Sequence, residues 1–345
     1  MPLPGQVYDR TAVRHRPARL EHPQSERASV LSVTRIGRNA TVALAGAATL
    51  GALLAGYSWR IEPRRLRRTI LRVTLPTLTP QLAGARLAFL TDFHLGGPGP
   101  SERLTREAIR AARDWRTELV LLGGDYFDQG IFRPTTAFDD LRELPAVYGV
   151  LGNHDYRQSE AAAERIVRFL EERGVVMLRN QAVDLDLRGG TIRLIGLDDP
   201  YTGRATLHPW LRHSPSATVP TLALAHAPLI VDRLPSGIAN LMLSGHTHGG
   251  QICLSPWSRL TPLDAAWYLD LSRGRTPSRQ QRGFHWERGT LLYVSSGIGM
   301  TTLPLRFLAP PEVVLIELAA EPADPTRPCD HPMRYVRRLA YLIER

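Results

Sequence analysis

From residue 86 onward the chain alternates short apolar runs with clusters of glycine and Asp, Asn or His, and this alternation constrains the fold more than any other feature. RLAFLTD, ELVLLGGD and AVYGVLGNHD are apolar through their middles and end in polar, glycine-containing sequence. Uninterrupted apolar runs of that length are the pattern of strands buried on both faces. Between the first two lies SERLTREAIRAARDWR, in which Leu104, Ala108, Ile109 and Ala112 fall at helical spacing behind a serine suited to capping. Strand, helix, strand predicts an α/β arrangement. A second helix is expected at 159–173, after which the text turns strand-rich: VVML, TIRLIGL, TLALAHAP, NLMLSGHTHGG, TLLYVSSG and EVVLIEL. Two packed sheets flanked by helices accommodate that order.

Five polar clusters follow five of these runs: Asp92 with His94, Asp125 with Asp128, Asn153 with His154 and Asp155, His226, and His246 with His248. In α/β sheets, side chains just beyond the carboxyl ends of strands converge although far apart in sequence. The donors are carboxylate, amide and imidazole without thiolate, which suits Mn²⁺, Fe²⁺ or Zn²⁺. Asp92, His94, Asp125, Asn153, His226, His246 and His248 are too many ligands for one tetrahedral ion. They suit two ions sharing a carboxylate, an arrangement that clamps the attacking and leaving oxygens of phosphoryl transfer. A lone histidine such as His226 is more often a satisfied core residue, so the weight rests on the ordered combination. His15, His22, His208, His213, His285 and His331 stand in no such context and read as surface or loop residues.

The ordered set DFHLG, GDYFD, GNHD, AHAP and GHTHGG resembles the calcineurin-like metallophosphoesterase superfamily, and the likeness covers most of the chain after residue 85. The resemblance implies a four-layer α/β/β/α sandwich of two mixed sheets. It implies that Asp92, His94 and His248 hold one metal, that Asn153, His226 and His246 hold the other, and that Asp125 bridges them. A hydroxide between the ions would attack phosphorus in line. His154 would give a proton to the leaving oxygen or stabilise the transition state, with Asp128 orienting its ring. Phosphoprotein phosphatases of this superfamily carry arginines where this chain has Gln129 and Leu151, which argues against a Ser/Thr phosphatase. The segment TLLYVSSGIGMTTLPLRFLAPPEVVLIEL with GHTHGGQ is similar to a bacterial membrane-associated branch of phosphodiesterases, some acting on UDP-2,3-diacylglucosamine in lipid metabolism. The expected partner is a phosphate ester, lipid-linked in that reading. A nuclease, a cyclic-nucleotide phosphodiesterase and an inactive scaffold are the alternatives. Arg306 is marked for contact with phosphate or nucleotide, with a structural ion pair as its other reading. The aromatic-rich stretch 251–290, with Trp257, Trp267, Tyr268, Phe284 and Trp286, is either a lip for an amphiphilic ester or a loop packed on the sheet.

Ahead of the catalytic region, NATVALAGAATLGALLAGYSW carries no charge and is long enough to cross a bilayer, with Tyr57 and Trp59 at its end. An anchor is the leading reading; a cleaved signal and a soluble helix are the others. Arginines at 27, 35 and 38 precede it and arginines at 60, 64, 65, 67 and 68 follow, a small bias towards a cytoplasmic catalytic domain that leaves the side open. The net charge of +10 is a weak pointer to nucleic acid. All 43 basic residues are arginine, a compositional habit as much as a patch, and many lie outside the catalytic region. Cys253 and Cys329 are too few for a disulfide framework. The expected boundaries are a disordered basic leader at 1–38, the membrane or signal-anchor helix at 39–59, a linker with a first strand at 60–85, the catalytic domain at 86–320, and a tail at 321–345 ending in an amphipathic helix. Nothing in the sequence addresses oligomeric state.

Overall fold

The apolar runs become strands of two mixed sheets in the computed structural model, which describes residues 25–75, 78–206, 219–253, 279–320 and 340–343. The first sheet uses β1 (Arg67–Leu75), β2 (Arg86–Leu90), β3 (Leu119–Leu122), β4 (Val147–Gly149), β5 (Val175–Met177), β12 (Glu312–Ala320) and β13 (Ala340–Ile343), in the order β13-β1-β12-β2-β3-β4-β5. The second uses β6 (Gln181–Leu187), β7 (Gly190–Leu197), β8 (Thr221–Ala225), β9 (Leu241–Ser244), β10 (Gly283–Glu287) and β11 (Thr290–Val294), in the order β10-β11-β9-β8-β7-β6. Strands β2 to β5 are mutually parallel, as are β7, β8, β9 and β11. Each sheet therefore sends the carboxyl ends of its parallel strands to one edge, and the polar clusters follow those ends.

Alternation along each strand divides the core into layers. Leu87 and Phe89 of β2, Leu119 and Leu121 of β3, and Val314, Ile316 and Leu318 of β12 meet Leu194, Leu222, Leu224, Leu241 and Leu243 between the sheets. Their neighbours Ala88, Leu90, Val120 and Leu122 face the other way, under α2 (Ser101–Asp114) and α3 (Glu160–Glu171). The outer face of the second sheet, with Ile195, Ala223, Met242 and Leu292, is covered by Ile230, Val231 and Leu234 from the 3₁₀ turn Pro228–Arg233 and the coil after it. The four layers are those the resemblance implies, with a 3₁₀ turn standing in the fourth among the described residues.

Ser159 caps α3 as its Oγ accepts from Ala162 N at 3.1 Å, a contact that contributes about 1 kcal/mol. Ser101 is not the cap of α2: it is the first helical residue, and its carbonyl accepts from Thr105 Oγ1 at 2.8 Å. The strand expected within 60–85 is β1, which runs parallel to β12 from Arg67 opposite Glu312 to Leu75 opposite Ala320. In the tail, Ala340–Ile343 pairs antiparallel with β1, so these residues are a strand and not the amphipathic helix read from their pattern. Their backbone donors and acceptors cover the edge that β1 would otherwise expose. The remainder of 321–345 lies outside the described residues.

The chain divides into Met1–Leu54 and Ala55–Arg345. Helix α1 begins at Ser25, within the stretch expected to be disordered, and extends to Gly56; residues 1–24 lie outside the described residues. Between Ala40 and Arg64 the helix, with its closing π and 3₁₀ turns, contains an 18-residue stretch of mean hydropathy 1.6, long and apolar enough to cross a membrane. Val42, Leu44, Leu50 and Leu53 are all exposed along it.

Candidate metal centre

The intervening letters of the motifs are explained by the side of the loop backbone that each side chain takes. In DFH and GDYFD the acids and the histidine turn into the cleft, while Phe93, Tyr126 and Phe127 turn into the helix-side core. There Phe93 stacks on Tyr126 with centroids 5.5 Å apart and meets Phe138 edge-on at 5.0 Å. The glycines clear space for carboxylates: a Cβ on Gly152 would overlap Asp125 Oδ1, and one on Gly245 would overlap Asp92 Oδ2. Asp92, His94, Asp125, His246 and His248 all have positive φ, between 44° and 70°, a region that residues with side chains rarely occupy. Fixed hydrogen bonds hold them there, among them Asp92 N to Gly124 O and His94 N to Asp125 O, both 3.0 Å.

All seven expected residues converge. Asp92, His94 and His248 form one group of donors, and Asp92, Asp125 and His226 form another. His94 Nε2 lies 3.1 Å from His248 Nε2, which in turn is 3.6 Å from Asp92 Oδ1. On the other side His246 Nδ1 lies 2.9 Å from Asn153 Oδ1 and 3.3 Å from His226 Nε2. Between them, Asp125 Oδ2 is 3.4 Å from His94 Nε2 and 3.2 Å from His226 Nε2. His226 Nδ1 meets Gly123 O at 2.8 Å, which turns Nε2 towards the cleft.

Charge balance shows what the cleft attracts. Burial pushes Asp125 up, but His226, His154 and His94 outweigh it and hold the carboxyl well below its usual range. Burial pulls His226 down, yet Asp125 lifts it to about 10. His248 is driven well below the ordinary histidine value by burial, His94 and Arg306. Two buried carboxylates, one amide oxygen and four imidazoles that converge on one cleft form a donor set fitted to divalent cations, which take the place of the protons these carboxylates draw in. The residues present fit a pair of such ions.

Beside this centre, His154 is buried, with its backbone N donating to Asp125 Oδ1 at 2.8 Å. Asp128 is shared: its Oδ1 is 3.3 Å from His94 Nδ1 and 3.5 Å from His154 Nδ1. Burial raises the Asp128 carboxyl, but His154 and His94 together hold it below the usual carboxylate range. Asp128 thus orients a candidate ligand at least as closely as it orients His154. The Nδ1 of His154 also receives the backbone N–H of Gln129 at 3.3 Å.

Arg306 belongs elsewhere. Its side chain is fully buried and donates to the carbonyls of Ala309, Ser296, Gly297 and Gly299 at 2.7, 2.9, 3.2 and 2.5 Å. It secures the loop whose Gly299 N donates to Asp92 O at 2.6 Å, so it braces the site from behind and presents nothing to a substrate. Burial lowers its pKa to about 10, which leaves it charged at neutral pH. His285, expected on a surface or loop, is buried within β10, and Phe284 and Trp286 pack on the inter-sheet core. Trp257, Trp267 and Tyr268, along with Cys329 and the other unassigned histidines, lie outside the described residues. Cys253 is buried.

Sequence reading also passed over two neighbours of the cleft, Asp199 and Tyr201, and gave Asp155 of the GNHD cluster no role. Asp155 Oδ2 accepts from Asp125 N and Gly152 N, and its Oδ1 from Tyr126 N, each at 2.9 Å, tying two loops together. Asp199, nearly buried after β7, has its carboxyl raised by burial while His226 and His246 pull against that rise. Tyr201 stacks on His246 at 4.5 Å between ring centroids. The sequence LDDPY follows a strand end, so the rule that found the other clusters applied here too.

A family model described as calcineurin-like phosphoesterase matches residues 85–250. The chain is 30% identical over 288 residues to the uncharacterized metallophosphoesterase YkuE of Bacillus subtilis, covering 79% of this chain and 94% of that one. It is 28% identical over 269 residues to the phosphodiesterase YaeI of Escherichia coli, covering 76% and 92%. It is 26% identical over 326 residues to the UDP-2,3-diacylglucosamine pyrophosphatase LpxG of Chlamydia trachomatis, covering 79% and 96%. With this cleft and these relatives, the chain belongs to the calcineurin-like phosphoesterases and is a metal-dependent phosphoester hydrolase.

Proposed function

We propose that this protein is a membrane-anchored hydrolase of phosphodiester or pyrophosphate bonds, acting on a lipid-linked or nucleotide-sugar substrate. In this reading Asp92, His94 and His248 hold one cation, Asn153, His226 and His246 hold a second, and Asp125 serves both. The observation that carries it is the position of Asp125 Oδ2, within 3.4 Å of imidazole nitrogens from both groups. When bound, the two ions would supply Lewis-acid activation of water and neutralise charge on the phosphoryl oxygens.

The chain's own residues supply the rest. His154 has its Nδ1 between Gln129 N–H and Asp128 Oδ1, which leaves Nε2 as the atom that can exchange a proton with a leaving oxygen. The fixed loop backbones set the ligand geometry before substrate arrives, so little reorganisation is left for the reaction. The apolar helix Ala40–Arg64 supports anchoring, and the activities printed for YaeI and LpxG support a diester or pyrophosphate in place of a phosphoprotein.

The test is metal content by mass spectrometry, with turnover in added Mn²⁺ of bis-p-nitrophenyl phosphate, p-nitrophenyl phosphate, UDP-2,3-diacylglucosamine and single-stranded DNA. The expected result is two ions per chain and hydrolysis of the diester and the UDP-lipid ahead of the monoester. Preference for single-stranded DNA would replace this reading with that of a nuclease.

A further inference from the structure

An arginine absent from the family motifs stands at the rim beside His154. Arg157, exposed at the end of GNHDYR, donates from Nη1 to Gln129 Oε1 at 2.6 Å and lies 3.4 Å from His154 Nε2. Gln129 is itself fixed from several directions. Its backbone has φ of 54°, its N–H meets His154 Nδ1 at 3.3 Å, and its carbonyl accepts from Gln158 Nε2 at 3.0 Å. One short segment therefore places the His154 imidazole and a guanidinium side by side at the rim. A guanidinium brings five donors and a charge that stays on at any working pH, suited to the oxygens of a phosphate.

We infer that Arg157, braced by Gln129, stands on the leaving-group side of the scissile bond and favours substrates whose leaving group is itself a phosphate, that is, pyrophosphate diesters. The inference rests on the proposed placement of His154 at the leaving oxygen. Hydrolysis of such a substrate adds water across P–O–P. The water oxygen bonds to one phosphorus, and the bridging oxygen departs with its electron pair on the other phosphate. At neutral pH both protons of the water finally pass to solvent base. The departing phosphomonoester gains one negative charge at the bridging oxygen, beside His154 and within reach of Arg157. An alkoxide needs a proton to leave, whereas a phosphate needs only its new charge offset. Arg157 therefore separates the two classes where His154 alone would not.

The experiment compares wild type, Arg157→Ala, Arg157→Lys and Gln129→Ala, each with metal content measured, on bis-p-nitrophenyl phosphate and on UDP-glucose, ADP-ribose and UDP-2,3-diacylglucosamine. Arg157→Ala is expected to lose roughly 10- to 100-fold in kcat/KM on whichever pyrophosphates the wild type hydrolyses, the scale of one charge-assisted contact. On bis-p-nitrophenyl phosphate, whose leaving group spreads its own charge, the loss is expected to be no more than about 3-fold, a fraction of such a contact. Arg157→Lys should recover part of the loss, and Gln129→Ala should show a smaller loss of the same selectivity. Equal losses on both classes, or a wild type that cleaves the diester and none of the pyrophosphates, would overturn the inference while the phosphoesterase reading stands. A wild type with two ions that cleaves neither class would overturn both.

Discussion

On the flank formed by the ends of β3 and β4, Asp128, Gln129, His154 and Arg157 lie close to one another, with exposure rising from buried His154 to solvent-facing Arg157. On the flank formed by the ends of β7, β8 and β9, His226 is fully buried, His246 lies under the ring of Tyr201, and Asp199 closes the far side. The first arrangement can exchange protons and meet charge on a substrate. The second buries His226 and backs the half-buried His246 with an aromatic ring, which limits the motion of both imidazoles. One loop geometry, repeated at successive strand ends, thus sets histidines in two kinds of surroundings, and under the proposed function those surroundings decide the duty of each.

Substitutions can test that division. Asp125 touches both flanks, so Asp125→Ala should release both ions and lower turnover of bis-p-nitrophenyl phosphate by more than about 10³-fold, as for loss of preorganised charge at a transition state. Retention of two ions by this variant would break the idea of a shared carboxylate. His154→Ala should lower turnover of an ester with a poor leaving group by about 10²- to 10⁴-fold and leave metal content unchanged. If it loses metal instead, the two flanks are not separate in duty. Asp199→Asn should weaken one of the two ions by about 10- to 100-fold in a chelator competition, with wild-type turnover restored at saturating Mn²⁺. Unchanged affinity would remove Asp199 from the ion-holding flank.

The strands of the parallel regions were legible because burial on both faces makes them continuously apolar, as in LVLL of β3. β6 escaped notice because it lies at a sheet edge with Asp184 and Asp186 outward, and its sequence QAVDLDL reads as weakly amphiphilic. The metal-type clusters were legible as an ordered set. Asp199 was not, since DDP reads equally well as an ordinary turn. Arg306 and Arg157 show the limit best. Both are arginines near a motif, and only the fold reveals that one is buried against four carbonyls while the other is held beside His154 by a side chain 28 residues away in sequence, Gln129. In the tail, a basic amphipathic pattern suited a helix, but the free edge of β1 recruited Ala340–Ile343 as a strand.

Five residues of the cleft hold left-handed backbone at a cost of about 1–3 kcal/mol each, offset by the loops and sheets around them. Donor positions are thereby tied to packing that lies outside the cleft, so a substitution within either sheet can alter the hold on an ion without touching a ligand. With nitrogen and oxygen donors alone, the metal found in a given preparation records what the surroundings supplied as much as what the ligands prefer.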